Sequence, residues 1–109
     1  MELILATEAL GALSQPTRLE AFRLLVKCEP DGLPAGDIAR QLDVPANTMS
    51  THLAILSRAG LVTSERRSRS IIYRAHIETL RNLLLFLAKD CCGGRTELCT
   101  PLIQELSCS

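Results

Sequence analysis

A mainly α-helical domain carrying one small β-hairpin is the fold class this sequence predicts, and three observations support it. Hydrophobic residues make up 47% of the 109 but aromatics only 3%, so the interior must be built from Leu, Ile, Val and Ala, a composition that favours helices. Apolar residues recur at helical spacing over most of the chain. The period falls to about two only between Leu61 and Ala75. At this length residues 1–109 are read as one domain, with room for a core and something to gain from dimerisation.

The elements follow in order. Met1–Leu13 sets Leu3, Ile4, Ala6, Leu10 and Leu13 on a helical repeat and predicts an amphipathic first helix. Ser14 reads as an N-cap, with Gln15-Pro16-Thr17 as the first turn of a second helix and Glu20 just downstream. That helix runs from Pro16 to about Lys27 and is expected to turn Leu19, Phe22, Leu25 and Val26 inward. Glu29-Pro30-Asp31-Gly32 signals a turn. A short helix over Ala35–Leu42 comes next, and Asp43-Val44-Pro45 joins it tightly to a fourth over Ala46–Ala59. Gly60 ends that fourth helix as the residue just past its cap. Leu61–Arg66 and Ser70–Ala75 are β-branched and alternating, joined by a tip of Arg67, Ser68 and Arg69. Ile77–Lys89 returns to helix, with Ile77, Leu80, Leu84 and Leu87 on one stripe and Leu83 and Phe86 beside it. Gly93-Gly94 breaks it, and Pro101–Leu106 reads as a last short helical turn.

Net charge is zero, which alone would argue against a nucleic-acid partner; its distribution argues for one. Residues 1–57 hold four basic and seven acidic side chains, residues 58–95 eight and three, and residues 96–109 two acids. The total therefore conceals a cationic strip, which is what a phosphate backbone attracts. No run approaches the roughly 18 apolar residues of a membrane span, and no basic leader precedes an apolar core. The reading is a cytoplasmic protein with no membrane partner, whose five cysteines are reduced, metal-binding or redox-active rather than a disulfide frame.

Two short helices with a three-residue turn, followed by a two-stranded hairpin with a basic tip, describe a winged helix-turn-helix. The second helix of such a pair enters the major groove with its N-terminal half towards base edges. Here that half is Asn47, Thr48, Met49, Ser50, Thr51 and His52, rich in hydroxyl and amide groups that can bond phosphates or bases. Met49, Leu53 and Leu56 would hold the opposite side to the core. Asn47, Thr48, Ser50, Thr51 and His52 are thus candidate DNA contacts, with Arg66, Arg67 and Arg69 reaching phosphates or the adjacent minor groove. The plainer alternative is a polar helix and a solvated run of arginines, with Arg58 doing no more than complementing a helix dipole.

At these residues the chain resembles the ArsR family of metal-sensing winged-helix repressors. Leu10-Gly11-Ala12-Leu13-Ser14-Gln15-Pro16-Thr17-Arg18-Leu19 is similar to the family's first signature. Asn47-Thr48-Met49-Ser50-Thr51-His52-Leu53-Ala54-Ile55-Leu56, with Ala59-Gly60-Leu61-Val62, is similar to its recognition helix. The resemblance covers about residues 8–90. It implies a homodimer formed by the first and last long helices, which binds double-stranded operator DNA and lets go when an inducer binds. The stripe of Ile77–Leu87 and the apolar face of the first helix point to the same dimer independently.

Cys91 and Cys92, with Cys99 close behind, form the candidate metal site: three thiols within nine residues suit a soft, thiophilic ion. Adjacent cysteines pair with each other only under strain, which leaves them available, and Gly93-Gly94 lets the chain fold back towards Cys99. The family's best-known arsenic site places a cysteine pair in the helix before the reading helix, but Leu33–Ala39 has no thiol. Its zinc-type site uses His and carboxylates along the last helix, where only His76 stands near the start. The spacing Cys-Cys-Gly-Gly-Arg-Thr-Glu-Leu-Cys instead resembles the C-terminal clusters of another arsenic-responsive subgroup, which implies trivalent arsenic (arsenite or antimonite) as inducer. Three thiolates complete the pyramidal coordination of such an ion. Open alternatives are a structural zinc site completed by Cys108 or His76, a Zn- or Cd-responsive site, a redox or persulfide switch, and incidental thiols. Cys28 reads as a small buried apolar residue and Cys108 as a terminal bystander. No nucleophile–base spacing or phosphate-binding glycine loop is present, His52 and His76 stand isolated, and no enzyme activity or obligatory cofactor is expected.

Overall fold

The computed structural model of the chain describes residues 1–91 together with Pro101, Gln104 and Glu105; for residues 89–91 the backbone alone is described. The order is α1 (Leu3–Leu13), α2 (Pro16–Lys27), β1 (Leu33–Pro34), α3 (Ala35–Leu42), α4 (Ala46–Arg58), β2 (Val62–Arg67), β3 (Ser70–Ala75) and α5 (Ile77–Cys91). The mainly helical fold with a winged hairpin is the one expected. Pro101, Gln104 and Glu105 are helical, within the stretch read as a last turn.

The elbow between α1 and α2 is capped differently from expectation. Gln15, not Ser14, is the N-cap of α2: its Oε1 accepts from the Arg18 backbone N–H at 2.8 Å, with Pro16 opening the helix. Ser14 lies at the end of α1, where carbonyls lack partners, and its hydroxyl donates to the Gly11 carbonyl at 2.8 Å. The Arg18 Nε donates to the Ala12 carbonyl at 2.7 Å, placing a cation at the negative end of α1.

Within α1 the small residues face in. Ala6, Ala9 and Ala12 are buried, whereas Leu3, Ile4, Leu5 and Leu10 are 69%, 68%, 50% and 43% exposed. In α2, Phe22 and Leu25 are buried as expected, but Leu19 turns outward. Helix α5 buries Leu83 and leaves Leu84 and Leu85 exposed. The core among the described residues is otherwise aliphatic, with Ile38, Met49, Leu53, Leu56 and Leu61 fully enclosed.

The hairpin is part of a three-stranded antiparallel sheet in the order β1-β3-β2. The added strand β1 pairs Leu33 with Tyr73 and Pro34 with Ile72. Gly32 makes this possible: its φ is +74°, and a Cβ there would stand 2.5 Å from the Tyr73 carbonyl oxygen. Glu29 in the preceding turn clamps β3 from the side, accepting from Arg74 Nη2 at 2.8 Å and Nε at 3.2 Å. Strand β2 starts one residue later than read from sequence, because Leu61 belongs to the cap of α4. It also ends one residue later, pairing Arg67 with Ser70 and leaving Ser68 and Arg69 as a two-residue turn with Ser68 at φ 57°.

Candidate nucleic-acid interface

Helices α3 and α4 form the helix-turn-helix, and each ends in the same motif. At the end of α3 the N–H groups of Asp43 and Val44 donate to Arg40 and Ala39 carbonyls, with Asp43 left-handed at φ 55°. At the end of α4 those of Gly60 and Leu61 donate to Ser57 and Leu56, with Gly60 at φ 80°. The two caps fix where α4 begins and ends. Arg40 forms an ion pair with Asp37 one turn earlier on α3.

Met49, Leu53 and Leu56 recur at helical spacing, all 0% exposed, and seat α4 against the core. The opposite side presents Asn47, Thr48, Ser50 and Thr51, all exposed. Asn47 Oδ1 accepts from the Thr48 backbone N–H at 3.0 Å, which satisfies a donor at the helix start. The Thr51 hydroxyl donates to the Asn47 carbonyl at 3.3 Å, one turn earlier on the same helix, which uses its one proton and leaves its oxygen able to accept. His52 is half-buried, and its Nδ1 is enclosed with no hydrogen-bond partner among the described residues. His52, read from the sequence as a DNA contact like its neighbours, is thus less open than Asn47, Thr48, Ser50 and Thr51.

Strand β2 packs against α4, so the hairpin is positioned directly by the reading helix. Arg66, Arg67 and Arg69 are all exposed. Arg67 Nη2 donates to Glu65 Oε2 at 3.3 Å on the open side of the strand, whereas Arg66 and Arg69 make no ion pair among the described residues. Arg74, the fourth wing arginine, is committed to Glu29; that hydrogen bond and the Glu29 charge raise its pKa further, with smaller help from Glu65 and Asp31. The roles of Glu65 and Glu29 escaped the sequence reading, although an acid two residues from Arg67 in a strand was a visible signal.

The hairpin also connects to α5. The His76 N–H donates to the Leu61 carbonyl at 2.8 Å, and its Nδ1 lies 2.8 Å from Thr79 Oγ1 and 3.2 Å from the Gly60 carbonyl oxygen. His76 is thus occupied at the junction of α4, the wing and α5. Among the described residues no three His, Cys, Asp or Glu side chains converge. Of the expected thiol site, Cys92 and Cys99 lie outside the described residues, as does the side chain of Cys91, whose backbone is the last residue of α5. Cys28, half-buried at the end of α2, is a free thiol. An open cleft of about 280 Å³ separates α1 from α4, lined by Glu8, Gly11, Ala12, Ile55, Arg58 and Ala59.

Known proteins bear on this geometry. Residues 13–65 match a family described as a helix-turn-helix domain. The transcriptional repressor SmtB of Mycobacterium tuberculosis is 32% identical over 80 residues, covering 73% of this chain, which spans 57% of that repressor's length. The transcriptional regulator YgaV of Escherichia coli is 31% identical over 90 residues, covering 80% of this chain and 86% of YgaV. An ArsR-like transcriptional regulator from Rhodococcus sp. RHA1 superposes with a TM-score of 0.74 at 25% identity, covering 97% of this chain and 96% of that one. These relatives and this fold are those of DNA-binding transcription regulators, not of enzymes. With a seated reading helix, an arginine wing and relatives of this kind, the chain belongs to the ArsR family of winged-helix transcriptional regulators.

Proposed function

We propose that the protein is a cytoplasmic, homodimeric repressor that binds operator DNA and releases it when trivalent arsenic is held by Cys91, Cys92 and Cys99. The observation that carries the DNA-binding part is the two-sided α4: Met49, Leu53 and Leu56 lock it in place while Asn47, Thr48, Ser50 and Thr51 are exposed on the helix that leads into the arginine hairpin. A helix so held can present donors and acceptors to a groove at little further entropic cost. The dimer is supported by the exposed aliphatic faces of α1 (Leu3, Ile4, Leu5, Leu10) and α5 (Leu84, Leu85), more apolar surface than a small subunit leaves open without a partner. A two-fold pair would present its reading helices to half-sites about one DNA turn, or a multiple of it, apart. The name repressor carried by the mycobacterial SmtB favours the direction of regulation.

The choice of inducer rests on the sequence: three closely spaced thiols and the preference of soft ions for sulfur. Drawing them together beside the end of α5 would bias the dimer against the operator-binding arrangement. A coupling of about 1–3 kcal/mol is typical, and near-complete release takes up to about 5.5 kcal/mol.

A gel shift with DNA from upstream of the protein's own gene tests the first part; absence of any shift rejects it. Titration of the complex with arsenite, antimonite, zinc, cadmium and a persulfide donor tests the second. Release by arsenite in the wild type and its loss in Cys91→Ser, Cys92→Ser and Cys99→Ser is the expected result. Release by zinc, cadmium or the persulfide donor alone assigns the thiols to the corresponding alternative.

A further inference from the structure

The wing carries an acid where a surface built only for DNA would have none. In an antiparallel pair, residues directly opposite share a face and neighbours along a strand alternate faces. The register pairs Arg66 with Ile71, Glu65 with Ile72, and Arg67 with Ser70. One face of the hairpin therefore holds Arg66 and Ile71, with no acid on it. The other holds Glu65 flanked by Arg67 on its own strand and Arg74 on the next. The side chains follow this division: Glu65 accepts from Arg67, Arg74 belongs to Glu29, and Arg66 has no ion-pair partner among the described residues. Ile71, 45% exposed, gives the Arg66 face an apolar shoulder of the kind that packs against sugars in a minor groove.

On the reading of the hairpin as a DNA-contacting wing, we propose that only its Arg66–Ile71 face and the Arg69 turn meet DNA, and that Glu65 withholds Arg67 and so limits sequence-independent binding. A phosphate near Arg67 would have to displace Glu65 and then lie beside its carboxylate. Arg66 has no such competitor, and Arg69, in the two-residue turn, projects beyond the last ladder pair. The wing would thus be a weak grip on arbitrary duplex and an effective one only where α4 has already fixed the register. Glu65 acts here as a specificity residue through charge alone.

The test measures affinity for a duplex lacking any operator, as a function of salt, by fluorescence anisotropy. Each phosphate contact contributes about 0.9 to the slope of log affinity against log salt. Arg66→Gln is expected to flatten the slope by about that amount per wing, and Arg67→Gln by less than about a third of it. Glu65→Gln is expected to steepen the slope by about 0.9 per wing and to tighten non-specific binding about three- to ten-fold. The double variant E65Q/R67Q is expected to lose that gain. All these side chains are exposed, so circular dichroism and melting should stay at the wild-type values. Equal slope losses in R66Q and R67Q, or an unchanged slope in E65Q, would overturn the assignment while leaving the wing a DNA contact. If neither R66Q nor Arg69→Gln changes the slope of a protein that still binds duplex, the wing itself is off the DNA. A wild-type protein that binds neither this duplex nor the DNA upstream of its own gene rejects both readings.

Discussion

Replacing Gly32 by alanine tests whether the short strand β1 is held by backbone geometry. At φ +74° an alanine pays roughly 1–2 kcal/mol for the left-handed conformation. Its Cβ would also meet the Tyr73 carbonyl oxygen at 2.5 Å and Arg74 Cγ at 2.6 Å. The first of these is backbone of the central strand β3, which cannot retreat without disturbing its pairing with Leu33 or with Ser64. Overpacking of this kind costs about 1–3 kcal/mol, and the stiffer unfolded chain returns up to about 1 kcal/mol. The expected loss is about 1–5 kcal/mol. With unfolding entropy of about 2.1 cal/mol/K per residue, the melting midpoint should fall by about 4–22 °C. Urea and thermal unfolding are compared at one protein concentration, because the midpoint of a dimer moves with concentration. Gly36→Ala in α3 is the control: its Cβ would meet only Arg40 Nη1 at 3.7 Å, so it should be neutral or stabilising by up to about 1 kcal/mol. A loss below about 1 kcal/mol for Gly32→Ala would refute the steric argument.

Three further outcomes are expected. Leu53→Ala, at a fully enclosed site under α4, should cost about 2–5 kcal/mol in urea unfolding and weaken DNA binding with it; a loss under about 1 kcal/mol would mean that α4 is seated by other contacts. Leu84→Glu, on the exposed aliphatic side of α5, should convert the protein to monomers in sedimentation; a persistent dimer would move the interface elsewhere. Arg18→Met removes the Nε–H that reaches the Ala12 carbonyl, and should cost about 1–2 kcal/mol and loosen α1, seen as faster amide exchange there with α4 unchanged. Uniform exchange in both helices would refute that local role.

The sequence reading succeeded where the signal was local. The helical repeat of Met49, Leu53 and Leu56, the stop at Gly60 and the alternating run from Ser70 to Ala75 each declare themselves within a dozen residues. It failed where a residue's state depends on distant chain. Leu33–Pro34 is a strand only because Tyr73 and Ile72 are there to pair with it. Leu19 fits an inward helical repeat but is 42% exposed. Ser14 and Gln15 are both plausible caps, and only the sharp elbow after α1 decides between them. The exposure of Asn47, Thr48, Ser50 and Thr51 was legible by position. The division of the wing arginines was not, because it depends on which carboxylate each one finds, Glu65 a neighbour and Glu29 some 45 residues away.

The joint at His76 has a mechanical consequence. Helix α5, 15 residues long, is a rod of about 22 Å at 1.5 Å per residue, and its near end is pinned through His76 to the carbonyls of Gly60 and Leu61, just past α4. A rod pivoting on such a pin converts angle into travel: a swing of about 5° moves the far tip by about 2 Å. A small displacement at the far end of α5 thus reaches the residues that follow α4 as a change of tilt, and a tilt imposed on those residues is returned, enlarged, to the far end.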